Sequence, residues 1–214
     1  MAEKLLMSEA EYKTSGMYIG MKQRTAQMKE FIYRIRPDGL SLLEISKIDE
    51  RIRIAAKMIA RSKKPLIVSR KNIAHEPIKK FSEIVNSSFL VGRFMPGTLT
   101  NPSYKKFIEA DLILLTDPQI DYQALKEAVD ARIPVISVCD SYNDTKDIDL
   151  VIPCNNKSAR PIVTLFWLLA RETLKAKGEI SSNEEFKYKI EDFANGMSLD
   201  ESRKGDHDED NKIV

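Results

Sequence analysis

Glycine is scarce in this 214-residue chain, which has eight, and they form neither G-x-G-x-x-G nor G-x-x-x-x-G-K-[ST]. Backbone cradles for nucleotide phosphates are built from such glycines, so no phosphate loop supports a nucleotide enzyme. Histidine is scarcer still, with only His75 near a predicted helix start and His207 in an acidic tail. Neither has a Cys, Asp or second His at metal-ligand spacing, and neither is placed as a general base. No catalytic residue, metal, cofactor or small-molecule substrate is therefore expected. Cys139 and Cys154 are too few for a disulfide framework and read as small buried hydrophobes in a reducing cytoplasm. No apolar run approaches the ~18 residues of a membrane span. The Met1-Ala2-Glu3-Lys4-Leu5 start lacks a secretory pattern, so no membrane partner is expected.

What is present is a charged, globular composition: 43% hydrophobic and 31% charged residues with a net charge of +2. That length suits one well-buried α/β domain with appendages. The net charge conceals a division. Residues 179–214 hold eleven acidic and five basic side chains, a net −6, which leaves residues 1–178 at +8. A basic body with an acidic tail points toward a polyanionic partner, the plainer reading being ordinary surface scatter.

Taken in order, Ser8-Glu9-Ala10-Glu11 is a capping box for a short helix over residues 8–14, closed by the turn Gly16-Met17-Tyr18-Ile19-Gly20. Residues 31–35 alternate like a strand, Pro37-Asp38-Gly39 is a turn, and residues 40–45 pair back as a hairpin. Ser46 is read as the cap of a helix with Ile48, Ile52, Ala55, Ala56, Ile59 and Ala60 on one face. From Pro65 the pattern becomes regular. Apolar runs at 65–69, 89–91, 112–116, 133–138 and 150–153 alternate with helical stretches at 76–85, 121–132 and 161–177, the last stopped by Gly178. Such βαβ steps, with strands apolar throughout, predict a mainly parallel sheet covered by helices on both faces. The expected organisation is an N-terminal basic extension with a short helix (1–30), an α/β core (31–178) and an acidic, disordered tail (179–214).

Between the strands at 89–91 and 112–116 lies Gly92-Arg93-Phe94-Met95-Pro96-Gly97-Thr98-Leu99-Thr100-Asn101-Pro102. Its glycines and prolines exclude a helix or central strand. Yet Phe94, Met95 and Leu99 are more apolar than a solvated loop requires. Phe94 and Leu99 are expected to pin the loop to the core. Gly92, Phe94, Met95, Pro96, Gly97, Thr98, Leu99, Thr100 and Asn101 form a candidate interface, with Arg93 facing phosphate or a neighbouring chain.

Ligands of open α/β sheets bind beyond the carboxyl ends of the strands. Asp117, Asp140 and Asn155 stand there, either as a nucleotide or metal site or as helix N-caps, a routine task for Asp and Asn. The basic residues are more informative. Lys22, Arg24, Lys29, Arg34 and Arg36 precede the sheet; Arg93, Lys105 and Lys106 flank the long loop; Lys157 and Arg160 follow Asn155-Asn156. They fall in turns and element ends, as contacts with a folded polyanion read by shape would, and any one of them also suits a solvated surface. The run Phe166-Trp167-Leu168-Leu169 reads as helix core.

The loop at 92–102, residues 111–118, Ile133-Pro134-Val135 and Asp149-Leu150-Val151-Ile152-Pro153-Cys154-Asn155-Asn156-Lys157 closely resemble the family of small-subunit ribosomal protein two. The likeness runs in order over residues 8–178, through Phe31-Ile32-Tyr33, Asp38-Gly39-Leu40 and Trp167-Leu168-Leu169-Ala170-Arg171-Glu172. It is similar to the archaeal–eukaryotic branch, which includes the laminin-receptor-like protein. The helical hairpin that bacterial members insert after Thr-Leu-Thr-Asn is missing here. The resemblance implies a three-layer α/β/α flavodoxin-like core and a non-catalytic protein bound to small-subunit ribosomal RNA and neighbouring ribosomal proteins in the cytoplasm. One departure stands out: Tyr18 occupies the position of the family's usual His, so any RNA contact there is neutral, by stacking or a hydroxyl bond. Two rivals remain at this point: a doubly wound nucleotide enzyme built on Asp117, Asp140 and Asn155, and a protein-interaction module docking through the long loop without RNA.

Overall fold

The computed structural model describes residues 5–194. Its elements are α1 (Glu9–Ser15), a 3₁₀ turn (Gln27–Phe31), β1 (Ile32–Ile35), β2 (Ser41–Leu43), α2 (Ile45–Arg61), β3 (Pro65–Ser69), α3 (Asn72–Val85), β4 (Ser88–Val91), β5 (Leu112–Leu115), α4 (Tyr122–Asp130), β6 (Val135–Cys139), β7 (Leu150–Pro153), α5 (Ala159–Lys177) and α6 (Ile190–Ala194). The Ser8 hydroxyl and the Glu11 carboxylate cap α1 reciprocally, and Gly178 ends α5 in the left-handed region at φ 78°. The cap of α2 differs from expectation: Glu44 is the N-cap and Ser46 lies inside the first turn. The third helix starts four residues before the expected Glu76 and carries Pro77 within it.

The five core strands pair in parallel in the order β4-β3-β5-β6-β7. Numbered within the sheet this is 2-1-3-4-5, the flavodoxin-like order, with its switch point between β3 and β5. Successive residues serve opposite faces, as the period of a strand requires. Ile67, Leu112, Leu114, Ile136 and Val138 face a large core with α1, α2, α3 and α5. Leu66, Val68, Ile113, Leu115 and Val135 face a second core, to which α4 contributes Ala124, Leu125 and Ala128.

On that second face the β4–β5 connection replaces a helix with the long loop. Phe94 and Leu99 are buried among Leu66, Val68, Ile113 and Leu115, and Ile108 and Ala110 pack beside them. The loop is thus a layer of the fold as well as a surface feature. Phe94→Ala removes a large side chain from a thin layer, and a loss of about 3–5 kcal/mol is expected, read from the urea midpoint.

The N-terminal segment belongs to the main core, where Tyr12, Met17 and Met28 are fully buried. Asp49 on α2 accepts the Tyr12 hydroxyl at 2.9 Å and the Leu6 N–H at 2.6 Å. Arg171 on α5 donates to the Leu6 carbonyl at 2.9 Å. The acidic tail, expected without structure from residue 179, begins folded. Phe186 and Phe193 are buried, and the Trp167 indole donates to the Tyr188 carbonyl at 2.8 Å. Trp167 therefore receives this segment, with Phe186 edge-on at 5.9 Å, while Phe166, Leu168 and Leu169 are core as expected. The rest of the tail, with His207, lies outside the described residues.

Candidate nucleic-acid interface

The crevice beyond the carboxyl ends of β3, β5 and β6 is filled by the chain itself. The Lys71 ammonium meets the Asp117 carboxylate at 2.7 Å, both nearly or fully buried, and donates to the Asn156 carbonyl at 2.6 Å. Asp117 also accepts the Tyr142 hydroxyl at 2.7 Å, the Asn143 amide at 3.0 Å and the Gln119 N–H at 3.0 Å. The Asn156 amide donates to Asn143 Oδ1 at 3.1 Å, which ties this loop to the one after β6. Burial, then the hydrogen bond to Asp117 and its charge, push the Tyr142 hydroxyl up, so it stays a donor. Asp117 is thus neither a helix cap nor a free ligand. Asn155 turns the chain ahead of α5, accepting the Lys157 N–H at 3.0 Å.

Asp140 anchors the N-terminal segment. Its Oδ1 accepts the Ser141 N–H at 2.6 Å and the Met21 N–H at 3.2 Å, while Oδ2 is buried without a partner. Burial pushes this carboxyl up to about 6. The approach needs glycine at position 20, where a Cβ would stand 2.8 Å from Asp140 Oδ1. The Ser141 hydroxyl donates toward the Met21 and Gln23 carbonyls at 3.1 and 2.9 Å, and the Thr25 hydroxyl to the Asn143 carbonyl at 2.9 Å. These bonds fix residues 20–25 across the carboxyl end of β6. Among the described residues no group of His, Cys, Asp and Glu could hold a metal. Both cysteines are buried and free, and burial pushes the Cys139 thiol up to about 12.

That docking sets where the expected cations stand. Lys22 and Arg24 are exposed on the docked segment, and Lys29 on the 3₁₀ turn that follows. Arg34 and Arg36 are exposed on the hairpin, beside a cleft of about 730 Å³. Lys157 rides over the Tyr142 ring at 5.0 Å, on the same carboxyl end as residues 20–25, and Arg160 is exposed in the first turn of α5. Lys105 and Lys106 are exposed elsewhere, on the loop that covers the second face. Among the described residues Lys22, Arg24, Lys29, Arg34, Arg93, Lys105, Lys106 and Arg160 have no carboxylate at ion-pair distance. Arg36 has Asp38 at 3.3 Å, an exposed pair of little worth.

In the long loop Phe94, Thr98 and Leu99 are buried and Met95, Pro96, Thr100 and Asn101 exposed. Gly92 and Gly97 both adopt left-handed φ, 91° and 89°. Arg93 shares a small cavity with Arg70, Ile120 and Gln123. Sequence reasoning missed Glu127, which holds this loop. From α4 it accepts the Gly97 N–H at 2.8 Å and the Leu99 N–H at 3.0 Å, with the Gln123 amide at 2.9 Å. Its position between Ala124 and Ala128 on the apolar stripe was the available signal.

Burial alone would raise the Glu127 carboxyl, but the Gln123 amide and the Leu99 and Gly97 N–H groups outweigh it and hold the group below its usual range. A carboxylate depressed on folding stabilises at neutral pH, and that contribution is lost as pH falls through its folded value. Glu127→Ala should therefore destabilise the chain by about 1–3 kcal/mol at pH 7, because two N–H groups lose their acceptor. The gap from the parent should narrow in acid, below the ordinary carboxylate range, as the charge is lost. Urea midpoints across pH check both statements.

A flavodoxin-like domain whose ligand crevice is filled by its own side chains, with unpaired cations on its turns and hairpin, is a binding scaffold. The profile of the family described as Ribosomal protein S2 matches residues 14–109 and 105–176. Small ribosomal subunit protein uS2 of Picrophilus torridus is 47% identical over 195 residues, 90% of this chain and 98% of the relative. The proteins of the same name from Thermoplasma acidophilum and Thermofilum pendens are 45% and 46% identical, over 90% and 88% of this chain and 98% and 89% of theirs. All three organisms are archaea. The chain belongs to the ribosomal protein S2 family.

Proposed function

We propose that this chain is a structural, non-catalytic constituent of the small ribosomal subunit. It binds small-subunit ribosomal RNA and neighbouring ribosomal proteins, and so works in the cytoplasm as part of the ribosome. The observation that carries this is family membership across 90% of the chain, with relatives named for that subunit. The self-filled crevice agrees, since Lys71, Asp117, Tyr142, Asn143 and Asn156 bond one another there, and the cavity beside it at Arg70 and Arg93, about 210 Å³, is smaller than ordinary small-ligand sites.

In this reading Lys22, Arg24, Lys29, Arg34, Arg36, Lys157 and Arg160 neutralise phosphates around the carboxyl end and hairpin. Lys105 and Lys106 do so from the long loop. Arg93 and the exposed loop residues Met95, Pro96, Thr100 and Asn101 face RNA or a neighbouring chain. Phosphate neutralisation releases counterions, so log affinity falls linearly with log salt, by about 0.7–0.9 per contact. Filter binding to small-subunit ribosomal RNA should show a slope of several such units, and equilibrium dialysis should show no tight nucleotide binding. Salt-insensitive binding, or saturable nucleotide uptake, would overturn the assignment.

A further inference from the structure

We infer that Tyr33 stacks on an unpaired nucleotide base of the bound RNA. The inference rests on the RNA-binding reading above and goes beyond it by naming the kind of nucleotide taken.

β1 and β2 pair antiparallel, with Ile32 opposite Leu43 and Arg34 opposite Leu42, so the register shifts at Tyr33. Such an irregularity in a hairpin re-aims the side chain that carries it. Tyr33 is 72% exposed, the most exposed large apolar side chain among the described residues. A ring that contributes nothing to the core is placed to meet something outside it. It lines the cleft of about 730 Å³ between hairpin and α1, together with Arg34, Arg36, Tyr18 and Leu42. That volume lies within the roughly 300–1,000 Å³ of small-ligand sites.

The charges favour an anion carrying an aromatic group. The acidic residues at the cleft, Glu9 and Glu44, have Lys13 at 2.6 Å and Lys47 at 3.8 Å. Arg34 has no carboxylate partner among the described residues, and Arg36 has only the exposed Asp38 pair. An aromatic face flanked by available guanidinium groups matches a nucleotide, whose base stacks while its phosphate is neutralised. The base must be free of its own stack, which places it in a loop, bulge or end and not inside an A-form duplex.

The test uses the full-length chain and its cognate small-subunit ribosomal RNA in filter binding across a salt series. Tyr33→Ala should weaken binding by about ten-fold or more, the ordinary size of one base–aromatic stack. The salt slope should not change, because no charge is removed. Tyr33→Phe keeps the stacking face and should bind within about two-fold of the parent. Arg34→Ala, by contrast, should lower the slope by about one. Tyr33→Ala binding like the parent would overturn the inference, as would Tyr33→Phe falling with Tyr33→Ala. Failure of the parent chain to bind the RNA would overturn the RNA reading and this inference together, and the parent titration alone reveals it. Tyr33 is exposed, and unchanged urea midpoints for both variants show that neither substitution disturbs the fold.

Discussion

Asp117→Ala should lower the stability of the isolated chain by about 3–5 kcal/mol, the cost of removing one partner from a buried ion pair. Folded domains are stable by only about 5–15 kcal/mol, so this is a large share. The reason is what stays behind. Lys71 would keep its ammonium in a nearly enclosed site with a single carbonyl acceptor, from Asn156. The Tyr142 hydroxyl and the Asn143 amide would lose an acceptor at the same time. Asp117→Asn should cost less, because an amide oxygen still accepts one or two of these bonds while the charge is lost. Replacing both Lys71 and Asp117 by Met and Leu should recover much of the loss, since neither charge is then orphaned. Urea unfolding of the four proteins gives the ranking. A near-neutral Asp117→Ala would mean that the crevice is open to solvent.

The second large effect is on binding. Replacing Lys22, Arg24, Arg34 and Arg36 together by Ala should lower the salt slope by about three to four units. The parent's extra loss of affinity between about 50 and 200 mM salt should then shrink by on the order of a hundred-fold. Lys22 and Arg24 are exposed on a segment held by backbone and hydroxyl bonds, and Arg34 and Arg36 are exposed on the hairpin, so the fold should survive. Lys79 and Lys80 on α3 make the control, because they sit on Glu76 at 2.6 Å and Glu83 at 3.3 Å. Their replacement should leave the slope within about one unit of the parent. Equal effects from the two sets would mean that binding is diffuse, without a defined face.

The strands were legible because each is a continuous apolar run, which is what a sheet covered on both faces demands. The mainly parallel sheet and its two covered faces followed from regular βαβ spacing, whereas the flavodoxin-like core was implied by the family resemblance and the strand order is seen only in the structure. The pinning of the loop by Phe94 and Leu99 was legible for a similar reason, since apolar side chains in a Gly/Pro segment need somewhere to go. What could not be read is what depends on distant partners. Asp117 finds Lys71 and Tyr142 across the sheet, and nothing local distinguishes such an aspartate from a helix cap. Glu127 is separated from Gly97 by 30 residues, though its place on an apolar stripe was a readable anomaly. Helix α3 starts at Asn72, four residues before the expected Glu76, and takes Pro77 into its interior, which local pattern does not favour. The early tail was read as disordered from its charge. Its aromatics, Phe186, Tyr188 and Phe193, are few, but Trp167 and the α3–α5 surface give them a place to pack. A clean test of the remaining acidic tail therefore truncates after Ala194, because cutting at Gly178 also strips part of the core.

The most direct test of the central claim is sedimentation of the native protein from a cell lysate on a density gradient, with and without ribonuclease. Membership of the small subunit requires co-migration with that subunit, and ribonuclease must release the chain from it. Migration as a free protein of 24.4 kDa in both gradients would contradict the assignment.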